Sequence, residues 1–229
     1  MIPMKTTNTP TERVPYLTYS LILINIVVFL WETTLPAQSL RAAFYDLAVV
    51  PCELGKQFFS VETLLDFVRS MFLHGDWLHL GGNLLFLWIF GSNIEDYYGR
   101  RTFIGFYLLA GVVASLAQSF AMWNVCVPMI GASGAISAIL GSYLVLYPAV
   151  KVRVCVVFFR FFFQTLLLPV WVVLGYWVVL QIANGFVSMG VETISEGGVA
   201  FIAHVGGFVF GMIFAFLVTL FKGLPPKTA

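Results

Sequence analysis

The chain has 229 residues, of which 60% are hydrophobic and 10% are charged, and its formal net charge at pH 7 is +1. A water-soluble domain of this length needs a more highly charged surface, and a nearly neutral chain lacks the basic excess typical of nucleic-acid-binding proteins. Because the charges leave apolar runs of the length that crosses a bilayer, about 20 residues, the composition predicts a polytopic membrane protein.

Six apolar segments, separated by charged and turn residues, predict an all-α membrane protein with six transmembrane helices. In chain order, we expect these helices at 16–34, 78–94, 102–121, 131–148, 168–187 and 199–221. Together they make a membrane domain at 16–221, in which 35–77 is a long outer loop. Residues 1–15 are a polar tail without the apolar core of a cleavable signal peptide, and residues 222–229 are a second short tail.

The segment VRVCVVFFRFFFQTLLLP at 152–169 is apolar enough to suggest a seventh span. However, Arg153 and Arg160 interrupt it, and a charge at the bilayer centre costs about 2.5–3.5 kcal/mol on insertion scales. We therefore interpret the segment as an interfacial or partly embedded connector whose arginines reach the lipid headgroups.

The positive charges indicate the orientation of the six helices. With the N-terminus inside, the outer side holds only Arg41, Lys56 and Arg69. The cytoplasmic side then holds the other nine basic residues: Lys5, Arg13, Arg100, Arg101, Lys151, Arg153, Arg160, Lys222 and Lys227. This positive-inside bias predicts that both termini are cytoplasmic.

The three cysteines, Cys52, Cys126 and Cys155, are widely spaced and odd in number. A Cys52–Cys126 disulfide is conceivable, but the sequence favours free thiols, and the chain has no CxxC pair typical of metal sites.

Polar residues inside an apolar bundle indicate where function lies, because lipid makes them costly. His79 and Asn83 are four residues apart and share one face of the second span. Ser133 and His204 lie near the starts of the fourth and sixth spans. All even-numbered spans run from outside to inside, so His79, Ser133 and His204 are expected within about 8 Å of the outer hydrocarbon edge.

This shared depth suits nucleophilic catalysis. A serine hydroxyl needs a base within hydrogen-bond reach, and histidine is the usual base near neutral pH. The unpaired N–H groups at a helix start, together with the His79 and Asn83 side chains, can bind an oxyanion. Because spans four and six carry no acidic residue to orient His204, the sequence predicts a Ser–His dyad rather than a triad.

Small residues indicate how the dyad could close. Gly207 and Gly211 form a GxxxG stripe on span six, and span four carries Gly134, Ala138 and Gly141 on a shared face. Such stripes allow two helices to pack closely, which would bring the side chains of Ser133 and His204 together.

Simpler interpretations exist for each motif alone. GASG at 131–134 is by itself typical of helix packing, and His79 with Asn83 could be an interhelical hydrogen bond. A zinc site at His74, His79 and His204 is disfavoured, because His74 and His79 point about 140° apart on a helix and no further ligand follows at suitable spacing. None of these interpretations explains why the residues share one depth.

The motifs also resemble a known family. HGDWLHLGGN (74–83) fits HxxxxHxxxN, GASG fits GxSG, and AHVGGFVFG (203–211) fits AHxxGxxxG. In this order, and across nearly the whole chain, they resemble the rhomboid intramembrane serine proteases of the bacterial six-helix type. The resemblance implies a nucleophile at Ser133, a base at His204, and an oxyanion hole formed by His79, Asn83 and the backbone at Ala132 and Ser133.

The resemblance also implies supporting roles. His74 would shape the outer loop, Gly131 would keep the backbone before the serine compact, and Gly134, Gly207 and Gly211 would support the packing. Ser137 replaces the aromatic residue that many rhomboids carry four positions after the nucleophile, so the packing of the base is expected to differ. Glu95, at the inner end of span two, is expected to fix a loop through hydrogen bonds.

The activity that the resemblance implies is cleavage of single-pass membrane proteins in or near their transmembrane segment, without a cofactor or metal. The partners are then substrate transmembrane helices and the lipid bilayer, with no nucleic acid. The expected location is the inner (plasma) membrane, with the site opening to the non-cytoplasmic side. The alternative is a catalytically silent rhomboid-like protein that binds client helices, although such relatives usually lack the serine or the histidine. Span five, which is bulky, is a candidate substrate gate.

Overall fold

The computed structural model describes residues 1–7, 11–58, 60–158, 162–189 and 201–225, with side chains except at 56–57, 157–158, 162–163 and 185–189. Arg160 and Lys227, both assigned above to the cytoplasmic side, lie outside the described residues. Most of the described chain is helical. In chain order the helices are α1 (Tyr16–Thr33), α2 (Ala37–Leu47), α3 (Pro51–Gln57), α4 (Val61–Arg69), α5 (Trp77–Phe86), α6 (Ser92–Tyr98), α7 (Arg100–Ala121), α8 (Ser133–Leu146), α9 (Val170–Met189) and α10 (Phe201–Lys222).

Three helices within the described ranges, α1, α7 and α10, are long and apolar enough to cross a membrane. The helix α8 and residues 170–184 of α9 are also apolar but shorter. The second predicted span is not one continuous α-helix, because a π-helical turn at Leu87–Gly91 separates α5 from α6. Such turns interrupt the regular hydrogen-bond ladder, and a hydropathy pattern does not reveal them.

The helix ends follow from specific side chains. The Ser60 hydroxyl accepts the N–H of Thr63 at the start of α4, and Asp76 caps α5. Gly99, with φ of +78°, allows the chain to reverse between α6 and α7. Glu95 accepts the backbone N–H groups of two residues in the first turn of α1 at 2.7–3.0 Å. Its hydrogen bonds thus cap a helix rather than fix a loop.

The expectation of an all-α protein is wrong in one region. At the segment 152–169, interpreted above as a connector, the structure has two antiparallel strands, β2 (Lys151–Phe158) and β3 (Phe162–Pro169). The N-terminal residues Ile2–Thr6 form β1, which pairs with β2 to give a three-stranded sheet of order β1-β2-β3. The β-branched and aromatic residues of this segment suit strands, and the central strand β2 has hydrogen-bond partners on both of its edges.

The two loops that precede α5 and α8 are joined to each other. Cys52 and Cys126 form a disulfide, contrary to the expectation of free thiols, whereas Cys155 is free. Next to the disulfide, the Met129 N–H donates to the Val49 carbonyl at 2.8 Å. The sequence disfavoured this pairing because 74 residues separate the two cysteines.

The centre of the molecule is α8, which is almost entirely buried between α7 and α10. Glycines line the contact between α8 and α10. A Cβ added at Gly207 would collide with the Gly134 carbonyl oxygen, and one added at Gly211 would collide with the Ala138 carbonyl oxygen. We call this backbone-to-backbone contact the α8–α10 seam.

Candidate active site

Ser133 and His204 are in direct contact. Ser133 is the first residue of α8, His204 lies in the first turn of α10, and the Ser133 Oγ atom is 2.7 Å from His204 Nε2. The α8–α10 seam begins within one turn of both residues, so the close packing of the two backbones sets this distance. His204 is 7% exposed, which places the contact inside the helix bundle.

The second ring nitrogen of His204 faces α9. Its Nδ1 atom is 2.7 Å from Oε1 of Gln181. A carbonyl oxygen only accepts hydrogen bonds, so Nδ1 carries the proton and donates it. In the neutral ring, Nε2 is then left to accept the hydroxyl proton of Ser133.

A second group of polar residues lies on α5 and the loop before it. His74 Nδ1 donates to the Phe72 carbonyl at 3.2 Å, so His74 Nε2 accepts from the Asn83 amide at 3.0 Å. This contact uses one of the two N–H groups on the Asn83 nitrogen. The Gly75 N–H donates to His79 Nδ1 across a long 3.4 Å, which leaves the proton of a neutral His79 on Nε2.

Gly131 lies between the two groups of residues. Its φ is +117°, a backbone conformation that residues other than glycine rarely adopt. A Cβ at this position would lie 2.5 Å from His79 Nε2 and 3.6 Å from Asn83 Nδ2. The missing side chain therefore allows the His79 ring to approach the Gly131 backbone closely, with the Asn83 amide nitrogen nearby, two residues before Ser133.

The α5 group is tied to α1 and capped at its outer end. The buried Glu32 carboxylate accepts the backbone N–H of His74 at 3.1 Å. On the outer side of α5, Asp76 accepts the N–H groups of His79 and Leu78 at 2.8 and 2.7 Å. These two bonds, chiefly that from His79, lower the pKa of Asp76 below its ordinary value.

Aromatic rings surround His204, although Ser137 replaces the expected aromatic residue on α8. The Ser137 hydroxyl donates to the Ser133 carbonyl at 2.6 Å. Trp177 of α9 instead lies beside the imidazole, with ring centroids 5.9 Å apart and planes inclined by 34°. Phe201 meets the same ring edge-on at 6.4 Å. The rings beside the imidazole thus come from α9 and α10, while the residue at position 137 of α8 bonds within its own helix.

Sequence reasoning missed five residues that contact these groups: Glu32, Asp76, Trp177, Gln181 and Phe201. A signal was present for Glu32 and Gln181, since an acid in span one and an amide in span five are costly in lipid. Neither residue belongs to a motif with fixed spacing, so the sequence did not connect them to His74 or His204.

A comparison with family models matches a rhomboid domain over residues 61–221, which is most of the chain. The chain belongs to the rhomboid family. It is therefore a multi-pass membrane protein, as the hydropathy predicted.

Rhomboid relatives occur in several organisms. The chain is 28% identical over 211 residues to "Rhomboid protein 1, mitochondrial" of Saccharomyces cerevisiae, covering 89% of this chain and 53% of that protein. It is 30% identical over 186 residues to the "Rhomboid protease GluP" of Bacillus subtilis, covering 74% of this chain and 31% of that protein. The "Rhomboid protease AarA" of Providencia stuartii matches at 28% over 107 residues, or 45% and 36% of the two chains. The chain thus spans about half the length of the yeast rhomboid and a third of the Bacillus one.

Proposed function

We propose that this rhomboid is an intramembrane serine endopeptidase in which Ser133 is the nucleophile and His204 is the general base. The observation that carries the proposal is the 2.7 Å contact between Ser133 Oγ and His204 Nε2 within the helix bundle. A histidine at this distance can take the hydroxyl proton as the serine attacks, which makes the hydroxyl an effective nucleophile.

In the first step, Oγ bonds to the carbonyl carbon of the scissile peptide while its proton passes to His204 Nε2. The carbonyl oxygen gains the negative charge. The proposed donors are His79 Nε2 and the Asn83 amide, both near Gly131, together with the backbone N–H groups of Ala132 and Ser133 at the start of α8. His204 then gives its proton to the leaving amine, and water hydrolyses the acyl-enzyme by the same route.

The supporting residues fit the same mechanism. His74 holds Asn83 through its Nε2 atom, so it orients a proposed oxyanion donor rather than only the outer loop. Gly131 allows His79, a proposed oxyanion donor, to lie close to the backbone before Ser133, and Gly134, Gly207 and Gly211 allow the approach of α10 to α8.

The proposed substrates are single-pass membrane proteins cut in or near their transmembrane helix, without a cofactor or metal.

We propose six spans, with α5 and α6 together forming the second, in a membrane domain at 16–221. The tails at 1–15 and 222–229 are cytoplasmic, and the 35–77 loop is outside. The Cys52–Cys126 disulfide supports this orientation, because disulfides persist in oxidising compartments outside the cytoplasm. The location proposed is the plasma membrane, with the site opening to the outer side.

The proposal is tested with purified protein in liposomes that contain a model single-span substrate. Wild type should cleave it, whereas Ser133→Ala and His204→Ala should each lose at least about 1,000-fold in kcat/KM. A fluorophosphonate probe should label wild type but not Ser133→Ala. If wild type binds the substrate helix without cleavage or labelling, the chain is the silent helix-binding protein instead. Equal cleavage by all three proteins overturns the assignment of both residues.

A further inference from the structure

Gln181 has no part in the mechanism above, yet it makes the shortest side-chain contact to the base apart from Ser133 itself. Its Oε1 atom lies 2.7 Å from His204 Nδ1. Trp177 is four residues earlier on α9 and therefore on the same helix face, where its ring lies beside the imidazole. One face of α9 thus holds His204 by an aromatic ring and a hydrogen bond.

The hydrogen bond selects between two forms of the ring. A neutral imidazole carries its proton on either Nδ1 or Nε2, and only the Nδ1-protonated form can accept a proton from Ser133. The other form presents Nε2–H to the hydroxyl and is inactive as a base. An acceptor fixed at Nδ1 stabilises the competent form and also the imidazolium that arises as the serine attacks.

No carboxylate takes this position in the part of the chain that the structure describes. Glu32, the acid in α1, accepts from the backbone of His74 and not from His204. The other described neighbours of the imidazole, Trp177 and Phe201, contact it through their rings. The amide of Gln181 is therefore the group that occupies the place of the third member of a serine protease triad.

We propose that Gln181 is a positioning residue, which holds His204 in its Nδ1-protonated form and in line with Ser133, so that the site works as a Ser–His–Gln triad. This inference rests on the proposed function. During attack, the Oγ proton moves to Nε2 while the Nδ1 proton stays on the ring and remains bonded to Oε1. The amide neither gains nor loses a proton, so its oxygen stabilises the positive ring through its dipole alone.

The test compares three substitutions on α9. Gln181→Met keeps the length of the side chain but removes the carbonyl oxygen, and Gln181→Glu keeps an oxygen acceptor. Ile182→Met places the same new side chain at the next position, which is 42% exposed and lies about 100° around the helix from Gln181. If Gln181→Met does not fold, Gln181→Asn replaces it, because its shorter side chain carries the carbonyl away from Nδ1.

We expect Gln181→Met to lower kcat by about 10- to 100-fold, with KM changed by less than about 2-fold, because the base is misaligned while substrate binding is intact. Gln181→Glu should restore kcat to within about 5-fold of wild type, and Ile182→Met should match wild type. Wild-type kcat in the Met variant, or an equal loss in the Glu variant, overturns the proposal.

A spectroscopic measurement reads the ring form directly and needs no substrate. The chain has three histidines, so 15N-histidine NMR spectra are assignable with single His→Ala variants. Wild-type His204 should show a protonated Nδ1, and the Met variant should show a mixture of both forms. Unchanged ring nitrogen signals in the Met variant also overturn the proposal. If wild type itself is inactive, the proposed function fails, while this measurement still reports on Gln181.

Discussion

The two walls of the site are built differently. One wall is the α8–α10 seam, where glycines bring the backbones of Gly134 and Gly207 into contact beside the Ser133–His204 pair. The other wall, which we call the α5 network, is a set of side-chain hydrogen bonds: Glu32 to His74, His74 to Asn83, and Asp76 to the start of α5. At these glycines the seam is a contact between two backbones, which cannot rearrange as side chains can, whereas the network consists of side chains that can rearrange.

This difference predicts different responses to mutation. A backbone contact cannot relax around an added methyl group, so a small change at the seam should separate the serine from the histidine. A hydrogen-bond network loses one bond at a time, and each net loss is about 1 kcal/mol. A single substitution in the seam should therefore cause a large loss of activity, whereas each substitution in the network should cause a smaller one.

The largest effect is expected from Gly207→Ala, in the seam. The new Cβ would collide with the Gly134 carbonyl, and the resulting overpacking costs about 1–3 kcal/mol. Because a displacement of 1 Å can cost about 100-fold in rate, kcat/KM should fall by at least that factor. The measurement is liposome cleavage together with the melting temperature.

The matched control is Gly175→Ala in α9, where an added Cβ has nothing within 4 Å. This variant should keep wild-type activity and stability. Equal losses of activity in Gly207→Ala and Gly175→Ala would mean that the flexibility of the glycine backbone, rather than the contact in the seam, determines activity.

An intermediate effect is expected from Gly131→Ala, where the two walls meet. The substitution strains the backbone at φ of +117° and places a Cβ 2.5 Å from His79 Nε2, so the His79 ring has to shift. We expect kcat to fall by about 10- to 100-fold, because the oxyanion would lose access to its donors. Cleavage rates at saturating substrate measure this.

The control is Gly99→Ala, which distinguishes backbone strain from a steric collision. Gly99 also has a positive φ, of +78°, but nothing lies within 4 Å of its Cβ position. This variant should lose about 1–2 kcal/mol of stability and retain its kcat. If kcat falls as much in Gly99→Ala as in Gly131→Ala, the collision with His79 does not explain the loss in Gly131→Ala.

The smallest effect is expected from Asp76→Ala, at the edge of the α5 network. Losing the cap should cost about 1 kcal/mol of stability at pH 7. The pKa of Asp76 in the folded protein lies below its unfolded value of about 3.9, so the charged cap stabilises at neutral pH. That contribution is lost as the pH falls below about 4, through the folded-state pKa.

Melting temperatures of wild type and Asp76→Ala should therefore differ at pH 7 and converge as the pH falls from about 4 through the lower, folded-state pKa of Asp76. Asp76→Asn is the control, because its amide oxygen still caps the helix but does not titrate. A difference between wild type and Asp76→Ala that stays constant with pH would contradict the assignment of the cap to the carboxylate.

The sequence predicted which polar residues lie together better than it predicted the elements around them. Ser133, His204, His79 and Asn83 lie in motifs whose spacing and depth were readable, because a membrane makes each polar residue costly. The strands β2 and β3 were missed, since an apolar run rich in phenylalanine and valine suits both an embedded segment and a strand. The disulfide was missed because it depends on loops brought together by the bundle.

The sequence by itself determined the family, the membrane class and the four polar residues, because each depends on composition or on spacing within one helix. Only the tertiary structure decided which helix flanks His204. Trp177 and Gln181 reach the imidazole from α9, across 23 residues of chain between Gln181 and His204. Such a contact depends on the angle and rotation at which two helices pack, and no local pattern encodes that geometry.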